Sequence, residues 1–340
     1  MARRGVVGPC FDAGVNETPD DAVLVDHDAL AAFVTEVGTT VGLAPGRASL
    51  LARLLVVNDC RGVFSHGTVQ VATYARLLRD GLLNPDATPE VVRESPSSLL
   101  VDGDGGLGYF AAHLGTELVV QRAREAGIAV VLTRNHGHFG AAGLYARMTL
   151  PHDLLTFVTS GHQLDLTPGA PVFDAAGGSP MAFTAPTQDE DPLVLDFGTM
   201  HDLYAEDPHR EQLSRLAPGL VLRSIGLGAV CQAWGGLLAG IPLDPARAER
   251  TWPGANQGSM VIALRIDLFT DPDSFRREMD QYVRAVRRLE PVPGVPLSRL
   301  PGGPEAERER RSRADGVPVG PEHRGQLDRL ATELGLRPPW

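Results

Sequence analysis

Four short apolar runs punctuate the middle of the chain: Leu99–Asp102, Ile128–Thr133, Leu154–Thr159 and Leu193–Phe197. Runs of this length without alternation read as buried strands. A helical pattern over about Ala111–Ala126, ended by Gly127, separates the first two. Another over Ala141–Leu150, stopped by Pro151, separates the second and third. The βαβα alternation predicts an α/β sheet. Ahead of it the spacing predicts three helices. The first covers Asp26–Thr39. The second starts near Arg47, with Leu50, Leu51, Leu54 and Leu55 on one side, and ends near Asp59-Cys60-Arg61-Gly62. The third carries Val71, Tyr74, Leu77 and Leu78 and stops at Gly81 and Asn84-Pro85.

Behind the sheet region, Ser224–Gly240 reads as a glycine-rich turn entering an apolar helix, and Met260–Ile266 alternates like a strand. Asp271-Pro272 opens an amphipathic helix whose predicted inner face is Phe275, Met279, Tyr282, Val286 and Leu289. Residues 290–304 are Pro/Gly-rich and irregular. Glu305–Arg313 reads as a solvated, charged helix face, and Gln326–Leu336 as a closing helix. Residues 1–22 are polar and expected to be mobile. No internal repeat is visible. The expected division is a helical domain from 23–95 and 268–340 around an α/β domain from 96–267.

Two loops in this scheme carry chemistry: Ser65-His66-Gly67 and His138-Phe139-Gly140-Ala141-Ala142-Gly143. Glycine beside histidine lets a ligand approach closely, and imidazole exchanges a proton near neutral pH at low cost. His138 falls between a strand end and the next helix, the edge of an open α/β sheet where ligands bind. The helix start after Gly140 also offers backbone N–H groups to an anion. The competing reading makes Ser65 a helix cap and each histidine a hydrogen-bonded structural group. Asp196, at a strand end, suits either orienting a histidine or ribose, or capping a helix. Gly226-x-Gly228 could cradle a phosphate. Asp102-Gly-Asp-Gly-Gly-Leu-Gly108 lacks the spacing of a dinucleotide fingerprint and reads as a tight turn. His136 would share a face with His138 in an extended segment, but no carboxylate or cysteine completes a metal set.

Composition narrows the picture. The 340 residues are 43% hydrophobic, enough for a substantial core. A net charge of −11 and a pI of about 5.4 argue against nucleic acid or anionic membrane as partners. No run approaches a membrane span and the start lacks the apolar stretch of a signal peptide. Cys10, Cys60 and Cys231 lie far apart, without metal or disulfide spacing, as expected of a cytoplasmic protein. All 31 basic residues are arginine. The absence of lysine excludes Schiff-base chemistry, a lysine general base and a P-loop lysine.

Arg61-Gly-Val-Phe-Ser-His-Gly67, followed by Tyr74, Leu77, Gly81, Asn84 and Pro85, resembles the type-2 malate/L-lactate dehydrogenase family. That family also holds ureidoglycolate, sulfolactate and diketogulonate dehydrogenases and a cyclic-imine reductase. Asp102–Gly108, His138–Gly143, Val194-Leu-Asp-Phe197, the Asp271–Leu289 helix and Leu300-Pro-Gly-Gly303 are similar to it too, so the likeness spans nearly the whole chain. It implies a non-Rossmann mixed α/β fold with its own NAD(P)-binding domain, and a homodimer with active sites near the interface. By position, His66 would be the proton donor and acceptor, with His138 and Asp196 near substrate and nicotinamide. Ser65, Gln70, Asn135 and Phe139 would line the substrate. Gly140, Ser179, Pro180, Asp196, Gly226, Gly228 and Gly302 would meet the cofactor.

The departures matter as well. The family's arginine four residues after the SHG histidine, which grips a substrate carboxylate, is Gln70 here. An amide cannot make a charged fork to a carboxylate. The family's GGYKG turn corresponds to Ser224-Ile-Gly-Leu-Gly228, with Leu227 in place of lysine. Its Gly-Thr-Asn-Pro corresponds to Gly177-Gly-Ser-Pro180, and the Asp196–Gly226 stretch is shorter. Three readings follow. The first is an NAD(P)H-dependent reductase of a C=O or C=N group in a small molecule other than plain malate or lactate, with Arg134 or Arg223 standing in for lysine at phosphates. The second is a cofactor-free acid/base enzyme on the same scaffold: an isomerase, lyase or cyclase. The third is a non-catalytic binder. The apolar faces at Asp271–Leu289 and Leu51–Val57 are the expected dimer surfaces.

Overall fold

The structure, a computed structural model, describes residue 18 and residues 21–205, 207–293 and 295–340. The expected mobile segment 1–22 and Cys10 therefore fall largely outside the described residues. The first half comprises β1 (Val23–Val25), α1 (His27–Thr40), α2 (Pro45–Cys60), α3 (Val71–Arg79), β2 (Glu90–Ser95), β3 (Ser98–Asp102), α4 (Gly108–Ala126), β4 (Ile128–His136), α5 (Ala142–Met148) and β5 (Leu154–His162). The second half comprises β6 (Pro180–Ala185), β7 (Leu193–Gly198), α6 (Arg210–Leu216), α7 (Pro218–Cys231), β8 (Gln257–Arg265), α8 (Pro272–Val286), α9 (Gly303–Asp315), β9 (Val317–Val319) and α10 (Pro321–Leu334).

Local chemistry accounts for the helices that frame the site. The Asp26 carboxylate caps α1 by accepting the N–H groups of Asp28 and Ala29. Leu30, Phe33, Val34 and Val37 then recur at helical spacing and are buried. Each such side chain contributes about 1.5–3 kcal/mol when fully removed from water. Pro45 opens α2, which buries Leu51, Ala52, Leu55 and Val56 and continues the same face to Asn58, Asp59 and Cys60. These α2 residues are inside the molecule, so the expected dimer surface at Leu51–Val57 does not exist. One hydrophobic core joins α1, α2, α3 and α10 to α4 and the sheet. β1 pairs antiparallel with β9, which ties the two ends of the helical layer together.

The seven-stranded sheet has the order β2-β3-β4-β8-β5-β6-β7 and is mixed. Only β3 and β4 run parallel; every other pair is antiparallel. The βαβα alternation in sequence therefore does not produce a parallel sheet. β8, from far along the chain, inserts between β4 and β5 and reverses the direction at that point. Two strands of this sheet escaped the pattern, as did the short β1 and β9. All of β2 is exposed, as an edge strand carries no burial signal, and β6 begins at a proline.

Two further expectations need correction. In α8 the buried residues are Asp280 and Val283, whereas Tyr282 and Leu289 are exposed. The Asp280 carboxylate turns inward because it accepts the backbone N–H groups of Gln188, Asp189 and Glu190, all near 3.1 Å. Periodicity alone cannot distinguish a carboxylate with that duty from one in water. Ser224–Gly240 is also not a turn leading into a helix. α7 starts at Pro218 and runs into a π-helical turn, Gln232–Leu237, giving a continuous 20-residue apolar helix. Among the described residues it is the one helix long and apolar enough to cross a membrane by length and composition alone. Its inner side packs on β5 and β8.

Candidate active site

The Ser65-His66-Gly67 loop consists of two 3₁₀ turns, Phe64–His66 and Thr68–Gln70, between α2 and α3. The end of α2 holds it. Asn58 donates from Nδ2 to the His66 carbonyl at 2.9 Å, and its own carbonyl accepts the Val63 N–H at 2.8 Å. Asp59, wholly buried, accepts the Thr68 N–H at 2.9 Å and the Thr68 hydroxyl at 2.6 Å on Oδ2. Its Oδ1 has no partner and lies where a Cβ on residue 67 would stand, so only glycine fits there. The Thr68 hydroxyl also lies 3.1 Å from His323 Nε2 on α10. Burial pushes Asp59 up to about 7, offset in part by the Thr68 bonds, and pushes His323 down to about 4. From α9, Glu309 accepts from Arg61 at 2.7 Å, so part of the predicted solvated charge run fixes the start of this loop.

The second loop, between β4 and α5, rests on the glycine-rich run after β3. Gly103, Gly105 and Gly108 donate N–H bonds to the carbonyls of Arg134, Asn135 and His138, and Gly106 accepts from Gly137. The Asp102–Gly108 run is thus a turn, and its glycines form a ledge for the histidine loop. Gly140 has φ +84, and a Cβ there would lie 2.5 Å from the Tyr109 hydroxyl on α4. Glycine at 140 therefore meets both a backbone and a space requirement.

The two loops bring His66 and His138 together with ring centroids 5.4 Å apart and planes tilted by 35°. Both rings are half-buried. His66 Nδ1 lies 3.0 Å from its neighbour Ser65 Oγ, and His138 Nδ1 lies 2.6 Å from the Tyr74 hydroxyl. The Nε2 atoms of both rings have no partner among the described residues. Burial lowers the His66 pKa below its ordinary 6.5; burial, then the nearness of His66 and His136, lowers that of His138 to about 3. Two neutral imidazoles facing each other can accept a proton, or donate a hydrogen bond, to a ligand group between them.

The other expected site residues scatter. Gln70 Nε2 donates to the Ser65 carbonyl at 2.7 Å, so its amide braces the loop. Phe139 is 1% exposed and stacks on Tyr145, whose hydroxyl donates to the Phe139 carbonyl; the ring belongs to the core and cannot line a substrate. Asn135, at φ +52, is held by Asp102 at 2.7 Å. With Arg134, which pairs with Asp102 at 3.1 Å, it lines a separate cavity of about 440 Å³ that also includes Arg247 and Arg250. His136 is fully buried, bonded to Thr133 Oγ and the Gly137 carbonyl at 2.7 Å each, which makes it a satisfied core histidine. Among the described residues no His/Cys/Asp/Glu group has metal-binding geometry.

Asp196 lies on β7 with its carboxylate against Gly143 in the first turn of α5 and Arg147 nearby. Partial burial raises its carboxyl above the ordinary range, while its outer side meets water. No hydrogen bond links it to either histidine. Gly226 and Gly228 are inside α7 rather than in a phosphate-cradling turn. A Cβ on Gly228 would lie 2.5 Å from Ser179 Oγ and Ala176 Cβ, so glycine there lets α7 press against the Ser179-Pro180 segment. Ser179 has φ +49 and bonds the Ala176 carbonyl; Pro180 pairs with Gly198, two residues beyond Asp196. Gly302, at φ +101, caps α9 against the start of β7. Arg223 is exposed on α7.

Sequence reasoning did not single out Tyr74 and Tyr109 as partners of the histidines, or Asp59 and His323 as supports. Tyr74 entered only as an apolar helix position and a family match. No local pattern marks Tyr109 or Asp59, whose roles arise from tertiary contact.

The family model for malate/L-lactate dehydrogenase matches residues 25–201 and 205–328. The chain belongs to this family, whose members are oxidoreductases. Among its relatives, the malate dehydrogenase of Pyrococcus horikoshii is 33% identical over 180 residues, 53% of this chain and 50% of that one. The solved structure of that enzyme superposes at a TM-score of 0.83 and 23% identity, covering 95% of this chain and 98% of the other. The L-sulfolactate dehydrogenase of Methanocaldococcus jannaschii is 25% identical over 89% of this chain and 95% of its own. The NAD(+)-dependent ureidoglycolate dehydrogenase of Escherichia coli K12 is 24% identical over 82% and 87%. The mixed sheet is therefore the fold of this family.

Proposed function

We propose that the protein is an NAD(P)H-dependent reductase of a C=O or C=N group in a small molecule. The observation that carries this reading is the convergence of His66 and His138, from opposite layers, at 5.4 Å with both Nε2 atoms free. His66 supplies the proton to the developing alkoxide or amine, and His138 holds it in place. The helical layer, 23–95 and 268–340, brings His66; the layer 96–267 brings His138 and the cofactor segment.

The residues around Ser179 fit a nicotinamide dinucleotide. Gly178 and Gly226 face open space, and the Thr199 hydroxyl, buried without a partner, lies beside Ser179, to whose carbonyl its N–H donates. Gly178, Pro180, Thr199 and Gly226 would border the cofactor, which would supply the hydride. Ser179 is fully buried with its hydroxyl on the Ala176 carbonyl, and Gly302 is buried against Pro192 and Val194, so both support the segment from beneath. Arg134, tied to Asp102 in another cavity, is not in place to substitute for the family's lysine. Gln70 supports a substrate less acidic than malate, because no guanidinium occupies its position and its amide is committed to Ser65.

Titration calorimetry with NADH and with NADPH tests the proposal. Binding of one of them below millimolar concentration, with strictly cofactor-dependent reduction of a carbonyl or imine panel, is the expected result. Absence of binding by both sinks it. Turnover without any nicotinamide would instead support a cofactor-free acid/base enzyme, a reading favoured by Leu227 standing where the family has lysine.

The same proposal includes a homodimer. Leu216, Leu220, Leu227, Val230, Trp234 and Leu238 fall on one side of α6–α7 and its π turn, each at least 37% exposed, with no charge among them. The stripe continues onto the sheet, where Trp234 meets Phe157 edge-on and Phe157 packs on the exposed Phe183. A second copy related by a two-fold axis fits such a face, with the exposed Arg223, three residues after Leu220, as the charge at its edge. Leu220→Glu with Leu238→Glu is expected to halve the mass seen by light scattering. A wild-type mass near 36.3 kDa would refute the dimer.

A further inference from the structure

We infer that Tyr74 and Tyr109 fix His138 in the tautomer that carries its proton on Nε2, so that His138 acts as a standing hydrogen-bond donor and His66 alone exchanges a proton. The kinetic part of this inference rests on the reductase reading; the tautomer itself does not.

The argument is one of donors and acceptors. Tyr74 is 2% exposed and Tyr109 is fully buried. The Tyr74 hydroxyl lies 2.6 Å from His138 Nδ1 and 3.2 Å from the Tyr109 hydroxyl, which makes a chain of three groups closed at one end. Each phenol has one proton to donate. If Tyr74 donates to His138 Nδ1, Tyr109 donates to Tyr74 and every buried proton is used. Nδ1 is then an acceptor, and the ring proton of a neutral imidazole must be on Nε2. In the opposite direction His138 Nδ1–H would donate to Tyr74 and Tyr74 to Tyr109. The Tyr109 proton would then need another acceptor, and none lies within reach among the described residues. A buried donor left unpaired bears its full desolvation cost, so the first direction prevails. Burial keeps both phenols protonated well beyond neutral pH and His138 neutral.

His66 has no such lock. Its Nδ1 faces Ser65 Oγ, a hydroxyl that rotates to donate or accept as required. The imidazole can therefore take up and release a proton without leaving an unpaired group behind. With each Nδ1 engaged, the Nε2 atoms are the ring nitrogens left for a ligand, one as a fixed donor and one as the exchanging acid. Tyr74 and Tyr109 are positioning residues in this scheme. Gly140 has a second reason to be glycine, since a methyl there would displace the Tyr109 hydroxyl that closes the chain.

Long-range ¹H–¹⁵N correlation spectra of the full-length protein labelled at histidine test the inference. His138→Gln identifies the relevant ring. At pH 7–8 the wild-type His138 signals should show Nε2 protonated and Nδ1 bare. Tyr74→Phe should populate the other tautomer. It should also lower kcat on the order of tenfold or more, with KM little changed, since the His138 Nε2–H donor to the developing alkoxide or amine is partly lost. Tyr109→Phe leaves His138 Nδ1 as the one acceptor of the Tyr74 proton, so it should keep Nε2 protonated and change the spectrum little. A wild-type spectrum with Nδ1 protonated overturns the inference, as do an unchanged His138 pattern and rate in Tyr74→Phe. If Tyr74→Phe does not fold, the wild-type spectrum still decides. Failure of the reductase reading would appear separately, as no turnover in the wild type.

Discussion

His66→Gln is expected to slow reduction of the C=O or C=N substrate by about 100- to 10,000-fold, the usual contribution of a positioned general acid. Glutamine retains a hydrogen-bonding side chain of similar reach and loses only the exchangeable charge. The nicotinamide affinity should stay within about twofold, because no cofactor-segment residue contacts the His66 ring. The pH dependence carries a sign. Burial lowers the His66 pKa below its ordinary 6.5, so the protonated form needed for reduction is a minority species at neutral pH. Reductive kcat/KM should fall as pH rises through that lowered value, and the reverse oxidation should rise over the same interval. In His66→Gln that inflection should vanish. Stopped-flow measurement of cofactor oxidation from pH 5 to 9 makes the comparison. An unchanged rate, or an inflection that survives the substitution, would move the acid/base role elsewhere.

The fold was legible where burial has one dominant period. The interior strands β3, β4, β5 and β8 stand out as apolar runs, and α1 and α2 as amphipathic ones, because each buries a face, whereas the edge strand β7 stands out by its apolar residues alone. β2 was not, since an edge strand with every residue exposed has no apolar face to announce it. The position of β8 between β4 and β5 was also hidden, because strand order depends on long-range pairing rather than on local pattern. At the site, glycine beside histidine marked both loops, since the backbone conformation and close approach that need glycine are local. Phe139 was misread for a physical reason: an aromatic residue beside a catalytic loop can face substrate or core, and only packing against Tyr145 settles which. The GxG of α7 misled in the same way. Its glycines look like a turn in sequence, but at least one of them serves helix-to-loop contact at Ser179.

Asp59 gives the largest expected effect on stability, and its direction is opposite to that of an ordinary carboxylate. The group is fully buried, and burial raises its pKa from 3.8 to about 7 against the lowering effect of its two bonds from Thr68. The folded state therefore binds a proton that the unfolded state has already released between about pH 4 and pH 7, and stability must fall as pH rises across that window. By about pH 7 the stability lost through this group is roughly 4 kcal/mol as an order of magnitude. Asp59→Asn has nearly the same shape and can still accept both Thr68 bonds through its carbonyl oxygen, but it does not titrate. The variant should be less stable than wild type at pH 5, where the neutral carboxyl fits well. The difference should shrink or reverse by pH 8, where wild type buries an anion whose Oδ1 has no partner. Urea denaturation of both proteins at pH 5, 6.5 and 8 reads this directly, and the other titrating groups cancel in the comparison. Gly67→Ala probes the same contact from the other side. Its methyl group would occupy the place of Asp59 Oδ1, which should break the Thr68 clamp and lower both stability and His66-dependent turnover at every pH. If the wild-type and Asp59→Asn curves run parallel across the range, Asp59 does not titrate between pH 4 and 7, and the clamp beneath the His66 loop has no pH dependence.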